Sequence, residues 1–289
     1  MKETSSITPR TRFCALIGNP VGHSLSPAIH NAAFAATGQD FVYVASPVED
    51  VANALAGMRA LMNFRGMSIT IPHKIEAMKY VDEISAADRA IGSINTVIHE
   101  DSKLIGLGTD GPGALKALVD AGVDLAGKKV VMLGCGGAAR AIAFTLALRC
   151  GLAEMIMLDI NPTLLEGLTA DLRAGTPCPI SGAALNAAEI AAAMARAEIV
   201  IQCTPIGMHP NVDATLIPAE LFRPGQVVFD VVYNPLETKL LREARAAGLQ
   251  TISGVEMFIN QAVLQFEQFT GVAAPYPVMR QVVMEKLGA

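Results

Sequence analysis

The sequence predicts an α/β protein of two domains, with an open α/β layer in front and a doubly wound parallel sheet behind it. Three observations carry this reading. Apolar strand signals alternate with helix signals along most of the 289 residues. The segment VVMLGCGGAARAIA, residues 130–143, is an apolar strand entering a glycine turn and a small-residue helix, and nearly half the chain precedes it. The chain is long enough for two cores, and 52% hydrophobic with 17% charged residues is a balance that disordered segments do not have.

In order along the front half, residues 13–17 read as a strand, 27–37 as a helix, 41–45 as a strand and 51–62 as a helix. Short strands follow at 66–71, 96–99 and 103–108, with a helix at 74–81. Near Gly111 the pattern changes: GPGALKALVDAG is a helix that opens with Pro112 and closes at Gly122, so the boundary is placed at 110–113. Strands at 130–133, 155–158, 199–202, 227–231 and 251–252 then alternate with helices, one of them the alanine-rich 183–197. Residues 255–271 form a last helix with Met257, Phe258, Ala262, Phe266 and Phe269 on one apolar stripe, expected to return to the first domain. The expected division is 1–110 with 254–289 against 111–253.

The glycine turn has a chemical reading. Gly134 and Gly136 stand two apart with Ala139 three later, the spacing of a dinucleotide fingerprint with alanine in the permitted third place. Gly134 suits the tight turn, Gly136 lets backbone amides approach a pyrophosphate, and Ala139 keeps helix and strand close. This makes the rear domain Rossmann-like. Asp159 ends the next strand twenty residues beyond Ala139, where a carboxylate accepts from ribose hydroxyls; the structural alternative is a helix N-cap before Pro162.

Other residues divide between structural and chemical explanations. Ser26 before Pro27 reads as a helix N-cap, which leaves Ser24 without a role; two hydroxyls beside Gly22 and a helix N-terminus make a small anion site suited to a carboxylate. Lys74 follows ITIPH where Pro72 ends a strand, a place where lysines are ordinarily solvated. Asp110 in LGTDGPG and Asn95 in GSINTV read as turn residues unless they face a cleft. Gln261 lies on the apolar stripe of the last helix, and an inward glutamine needs partners, from a ligand hydroxyl or from backbone carbonyls.

Composition excludes several classes. The net charge of −5 without a basic run argues against nucleic acid, and no apolar run reaches the eighteen or so residues a bilayer requires. The polar start MKETSSITPRTR has no signal-peptide core, so a cytoplasmic location is expected. Cys14, Cys135, Cys150, Cys178 and Cys203 contain no CxxC pair and read as reduced, packed thiols; the five histidines have no ligand spacing, so no metal is expected.

Taken in order, GNPVGHSLSPAIHN, ITIPHK, GSINT, TDGPG, LGCGGAARA, TPIGM, DVVYNPLETKLL and GVEMFINQA resemble the shikimate dehydrogenase and quinate/shikimate dehydrogenase family over essentially the whole chain. The resemblance implies hydride transfer between a nicotinamide cofactor and a ring alcohol of a polyhydroxylated cyclic carboxylate. It implies a catalytic pair of Lys74 and Asp110, with Ser24 and Ser26 on the substrate carboxylate and Thr70, Asn95, Tyr233 and Gln261 around the ring hydroxyls. On the cofactor side it implies Gly134, Gly136, Gly137, Ala138, Ala139, Asp159, Thr204, Pro205, Gly207, Met208 and Gly254. The expected partners are a small-molecule substrate and the nucleotide, without nucleic acid or membrane, in a monomer or homodimer.

Three places depart from the family pattern. After the second strand of the rear domain the chain reads LDINPT, with Ile160 where NADP-using members carry a basic grip. Two like unit charges about 4 Å apart at an effective dielectric near 20 repel by roughly 4 kcal/mol, so Asp159 favours NAD; Arg140 can soften that repulsion and leaves NADP open. Gly108 and Ser68 stand where the family has asparagine, which puts the substrate's substitution pattern in question between shikimate, quinate and related polyol acids. Two other readings stay open on sequence alone: a methylene-tetrahydrofolate dehydrogenase-like enzyme, and a nucleotide-sensing protein that keeps the fold without turnover.

Overall fold

The computed structural model describes residues 7–288, so the first half of the polar start, residues 1–6, lies outside the described residues. The chain divides into two compact units, one running to Thr109 and resuming at Gln261, the other spanning Asp110–Asn260. No helix among the described residues is long and apolar enough to cross a membrane.

The first unit contains β1 (Arg12–Gly18), α1 (Ser26–Thr37), β2 (Phe41–Pro47), α2 (Val51–Arg59), β3 (Phe64–Ile69), β4 (Glu83–Ile84), α3 (Ala86–Ile91), β5 (Thr96–Glu100) and β6 (Lys103–Leu107). Its sheet has the order β2-β1-β3-β5-β6-β4. β1 is parallel to both neighbours, whereas β5 is antiparallel to β3 and to β6. The apolar strand residues Ala15, Ile17, Met67, Ile69 and Val97 gather with Leu55, Phe64 and Leu104 into one core. Asn31 of α1 clamps the edge strand: its amide donates to the Tyr43 carbonyl and its oxygen accepts from the Tyr43 N–H, both at 2.8 Å.

The second unit contains α4 (Asp110–Asp120), β7 (Lys129–Leu133), α5 (Gly137–Arg149), β8 (Glu154–Asp159), α6 (Pro162–Gly175), β9 (Ile180–Ala184), α7 (Ala187–Met194), β10 (Ile199–Gln202), β11 (Val227–Asp230), α8 (Lys239–Ala246) and β12 (Gln250–Ser253). The strands lie in the order β12-β11-β10-β7-β8-β9, all parallel. Near-continuous apolar runs such as KVVML and IVIQ suit strands covered on both faces, and Val131, Leu133, Ile156, Leu158, Val200 and Val228 form the core with α8 residues Leu240 and Leu241. The long α9 (Gly254–Thr270) runs through the division at Asn260 and Gln261, and α10 (Tyr276–Leu287) packs on α1 in the first unit.

The structure departs from the sequence reading in several elements. The expected helix 74–81 is only a 3-10 turn at Glu76–Lys79, because the buried His73 ring bonds the Val48 carbonyl at 2.7 Å and β4 then pairs with β6. The alanine-rich helix expected from 183 starts at Ala187; Ala183 and Ala184 belong to β9, drawn into pairing with Leu158 and Asp159 against their helix propensity. Asn186 then caps α7 through the Glu189 N–H. The strand expected at 66–71 runs Phe64–Ile69, the helix expected to reach 62 ends at Arg59, and β4, α3 and α10 carried no recognised signal.

Gly18 ends β1 where the chain after β3 crosses it, with the Asn19 N–H donating to the Ile71 carbonyl and the Thr70 N–H to the Ile17 carbonyl, both at 2.9 Å. A Cβ on Gly18 would stand 2.3 Å from Thr70 Cγ2 and 2.9 Å from the Ile71 oxygen. Gly18→Ala is therefore expected to cost about 1–3 kcal/mol in urea unfolding, the usual penalty of overpacking. An unchanged midpoint would mean that the Thr70 segment yields freely.

Candidate functional site

In the first unit several of the expected residues share one polar array. Asn95 leads into β5 and is buried; its Oδ1 accepts from the Thr109 N–H at 2.7 Å and from the Thr96 hydroxyl at 3.0 Å, and its Nδ2 donates to Thr109 Oγ1 at 2.9 Å. The single Thr109 hydroxyl proton is shared between Asn95 Oδ1 at 3.2 Å and Gln261 Oε1 at 3.5 Å. Gln261 is buried on α9, so this array supplies one of the partners that an inward glutamine requires.

Ser24 and Ser26 meet at the start of α1. The Ser24 hydroxyl donates to Ser26 Oγ, and the Ser26 N–H donates to Ser24 Oγ, both at 3.2 Å. Ser26 is not the helix N-cap expected from Pro27: the cap position is Leu25, without a side-chain cap, and Ser26 is already helical. Its hydroxyl is thereby released from capping. Lys74 is half-buried, and its carbonyl accepts from the Ile94 N–H at 2.9 Å, which sets it beside the chain that leads into Asn95. Thr70 is half-buried at the end of the segment that crosses Gly18.

The two departures at asparagine positions have local causes. The Gly108 N–H donates to Asp88 Oδ1 at 3.1 Å, and a Cβ at 108 would stand 2.9 Å from that same oxygen. Ser68 is buried and accepts from the Tyr43 hydroxyl at 2.6 Å.

In the second unit the glycine turn joins β7 to α5. Gly134 has φ +101°, and a Cβ there would lie 3.1 Å from the Cys203 backbone and from Thr204 Cγ2, so the turn needs glycine for conformation and for space. Gly136 is the N-cap of α5 and offers no side chain to the first-turn amides; no acidic residue occupies that turn. Asp159 is not a helix cap either, since Asn161 caps α6 through the Thr163 and Leu164 N–H groups. Instead Asp159 Oδ2 accepts from the Cys135 N–H at 2.6 Å and Oδ1 from the Asn161 N–H at 2.7 Å, bracing the turn against the end of β8. Ile160 beside it is 81% exposed, which places no basic group in that position. Arg140 of α5 pairs with Asp171 at 2.7 Å and lies over the Phe144 ring.

The loop 204–208 is held from within. Gln202 at the end of β10 donates its amide to the Thr204 and Ile206 carbonyls and accepts from the Thr204 N–H, leaving Pro205 and Met208 exposed and Gly207 buried at φ +88°. Tyr233 stacks on Phe258 with centroids 4.7 Å apart, and burial raises its phenol pKa. Gly254 begins α9, and Asp110 is the first residue of α4, buried directly after Thr109. Lys74 and Asp110 fall in different units. All five cysteines are free thiols, and burial holds each above the ordinary thiol range, with Cys135 at about 12.

Residues 16–97 match the family model described as "Shikimate dehydrogenase substrate binding domain", and residues 254–284 match "Shikimate 5'-dehydrogenase C-terminal domain". A shikimate dehydrogenase (NADP(+)) of Moorella thermoacetica is 45% identical over 282 residues, 96% of this chain and 95% of that protein. This chain belongs to the shikimate dehydrogenase family. Among solved structures, shikimate 5-dehydrogenase from Listeria monocytogenes in complex with shikimate and NAD is 36% identical with a TM-score of 0.91, covering 98% of this chain and 100% of that one. Quinate dehydrogenase from Corynebacterium glutamicum in complex with NAD is 28% identical with a TM-score of 0.89, covering 95% and 99%. The two-unit α/β architecture is thus that of the family, whose members are NAD(P)-dependent oxidoreductases.

Within this member of the shikimate dehydrogenase family the sequence reading missed Thr96, Gln265, Gln202 and Asp230. Gln265 had a usable signal, four residues after Gln261 on the same helical face. Asp230 had none, because its role is to cap a turn: it ends β11 fully buried, accepting from the Thr238 hydroxyl at 2.6 Å and the Val232 N–H at 3.0 Å. Burial pushes its carboxyl from 3.8 up to about 6, against those two hydrogen bonds. A raised carboxyl pKa favours the protonated form in the fold, so its contribution is complete below about pH 3.8 and is lost as pH rises through about 6. Asp230→Asn keeps both hydrogen bonds by turning its NH₂ to Thr238. Relative to wild type it is expected to gain roughly 2–3 kcal/mol of unfolding free energy between pH 4 and pH 7, read from urea curves at each pH. A constant difference across that range would show that Asp230 does not titrate there.

Proposed function

We propose that the chain catalyses reversible hydride transfer between NAD and a ring hydroxyl of shikimate, with Lys74 as proton donor and acceptor and Asp110 as its orienting partner. The observation that carries the substrate side is the buried array of Asn95, Thr109 and Gln261, which shares the first unit with the paired hydroxyls of Ser24 and Ser26. Hydroxyl and amide groups of this kind suit a ring polyol, and two serine hydroxyls at a helix N-terminus suit a carboxylate. The Listeria relative, named for a complex with shikimate and NAD, supports the same pairing.

The residues of the second unit fit a dinucleotide. The first amides of α5 have no side-chain cap, and Cβ atoms added at Gly136 or Gly137 would meet no protein atom within 4 Å, so packing alone does not demand glycine at either place. Gly137, Ala138 and Ala139 would present their N–H groups to the pyrophosphate, Asp159 would accept from the adenosine ribose, and Thr204, Pro205, Gly207, Met208 and Gly254 would border the nicotinamide. A bound nicotinamide supplies the hydride acceptor or donor. In the oxidising direction the carbinol C–H leaves with its electron pair and Lys74 takes the hydroxyl proton; in reduction its ammonium returns that proton to the carbonyl oxygen. Thr70 and Tyr233 would complete the contacts to the ring.

NAD is preferred in this reading. An Asp159 carboxylate at the adenosine ribose would repel a 2′-phosphate, Ile160 gives no basic grip, and Arg140 is engaged by Asp171 and the Phe144 face. The curated relatives are named as NADP(+) enzymes and the solved relatives include complexes with NADP as well as with NAD, so the assignment made here rests on Asp159, Ile160 and Arg140. The sensor reading loses its support, since Gly108 and Ser68 both have structural causes in the first unit. Quinate stands second, favoured by the likeness to a quinate dehydrogenase.

Initial rates with shikimate and with quinate, each with NAD and NADP, test the reading. Shikimate with NAD is expected to give the highest kcat/KM, with NAD ahead of NADP by at least about tenfold, roughly 1.4 kcal/mol of discrimination. Faster turnover with NADP would sink the Asp159 argument. Lys74→Ala is expected to lower kcat by roughly 10²- to 10⁴-fold with a smaller change in KM. Full turnover in that variant removes Lys74 from the chemistry.

A further inference from the structure

One buried residue of the first unit is bonded to two parts of the array at once. Gln265 is 2% exposed on α9. Its Nε2 donates to the Asn95 carbonyl at 3.3 Å and to Thr96 Oγ1 at 2.9 Å, and its Oε1 accepts from the Ser68 hydroxyl at 2.8 Å. A backbone carbonyl is an obligate acceptor, so only one orientation of the Gln265 amide is allowed. The rest follows by necessity. With its oxygen occupied by the Gln265 amide, Thr96 directs its own proton to Asn95 Oδ1 at 3.0 Å, and this holds the Asn95 amide with its oxygen toward Thr96 and the Thr109 N–H.

On the other side, Ser68 gives its proton to Gln265 and must accept from elsewhere, and the Tyr43 hydroxyl donates to it at 2.6 Å. Tyr43 is 2% exposed, locked by Asn31 through its backbone and by the His30 ring stacked 4.5 Å from its own. Burial pushes the Tyr43 phenol well above its ordinary range, opposed by its hydrogen bond to Ser68. Burial also lowers the His30 pKa to about 3, so the ring wall is neutral. The chain of bonds therefore runs from Tyr43, held by Asn31 and His30 of the helix whose first residue is Ser26, to the amide of Asn95 without a charged member.

We infer that Gln265, through Ser68 and Tyr43 on one side and Thr96 on the other, is the positioning residue that fixes the spacing and hydrogen-bond polarity between the carboxylate-binding serines and the hydroxyl-binding Asn95–Thr109–Gln261 array. This rests on the proposed dehydrogenase reading of the same residues. The substrate it serves is a rigid ring carrying a carboxylate and hydroxyls at set distances, for which a relay of fixed length acts as a gauge. Ser68 is part of the device: its short side chain leaves room for the tyrosine hydroxyl and supplies the one donor that Gln265 needs.

The test compares wild type with Gln265→Leu, which keeps the volume and removes all three bonds, and with Tyr43→Phe, which removes only the terminal donor and keeps the proposal testable if the leucine variant does not fold. Shikimate and NAD dissociation constants are measured by calorimetry, alongside kcat and both KM values. Gln265→Leu is expected to raise the shikimate Kd and KM about tenfold, the size of one lost buried hydrogen bond, with kcat within about threefold and the NAD constants unchanged. Tyr43→Phe is expected to shift the same two constants in the same direction by less. An unchanged shikimate Kd in both variants, or NAD and shikimate constants worsening together as in general loosening, overturns the inference. Wild type that binds shikimate without turnover defeats the dehydrogenase reading, and the Kd comparison still decides the role of Gln265. Wild type that binds no shikimate overturns both.

Discussion

The Thr109 N–H, bonded at 2.7 Å to Asn95 Oδ1 in a fully buried setting, is the constraint on which the front half turns. Thr109 is the last residue of the first unit's opening run, and Asp110 begins α4 immediately after it. The side chain of Asn95 thus replaces a strand hydrogen bond at the very place where the chain stops being sheet. Losing that acceptor would leave a buried amide donor unpaired, at a cost of about 1–3 kcal/mol. The same oxygen also takes the Thr96 proton, so a residue that reads as an ordinary turn asparagine determines both where the chain leaves β6 and which way the neighbouring hydroxyls point.

The second unit solves its corresponding problem with carboxylates. Each of two strand ends carries an aspartate that accepts from backbone amides: Asp159 from Cys135 and Asn161, Asp230 from Val232 with the Thr238 hydroxyl. Asp230 ties the loop after β11 to the end of its own strand, whereas Asp159 joins the turn after β7 and the chain after β8 at the end of β8. They differ in burial: Asp230 is fully enclosed, and burial pushes its carboxyl up to about 6, whereas Asp159 is half-buried.

The fold was legible because its strongest signals are local. The apolar runs of β7, β8, β10 and β11, the glycine turn at 134–137 and the period of α9 each carry their own periodicity or turn chemistry. What escaped was set by tertiary pairing. Ala183 and Ala184 are good helix formers recruited to an edge strand by β8, and the two-residue β4 exists only because β6 lies beside it. In the candidate site, motif order singles out individual residues, and Ser24, Asn95 and Gln261 among them fall in the same unit. Their orientation was not. Nothing in the order of letters says that Gln265 must point its amide at the Asn95 carbonyl, or that Ser26 starts a helix rather than capping it.

Gly108 and Ser68 show why a departure from a family pattern is not by itself evidence of lost function. Each shortens a side chain, and in each case another polar group meets the position: the Asp88 carboxylate accepts from the Gly108 N–H, and the Tyr43 hydroxyl donates to Ser68. Polar capacity is conserved locally although the residue that carries it has moved in sequence. A buried array tolerates such exchanges only if every donor still finds an acceptor, since a half-satisfied network costs more than an apolar one. From Tyr43 through Ser68, Gln265, Thr96 and Asn95 to Thr109 each donated proton has a partner, which is the condition under which a shortened side chain retunes a site rather than dismantling it.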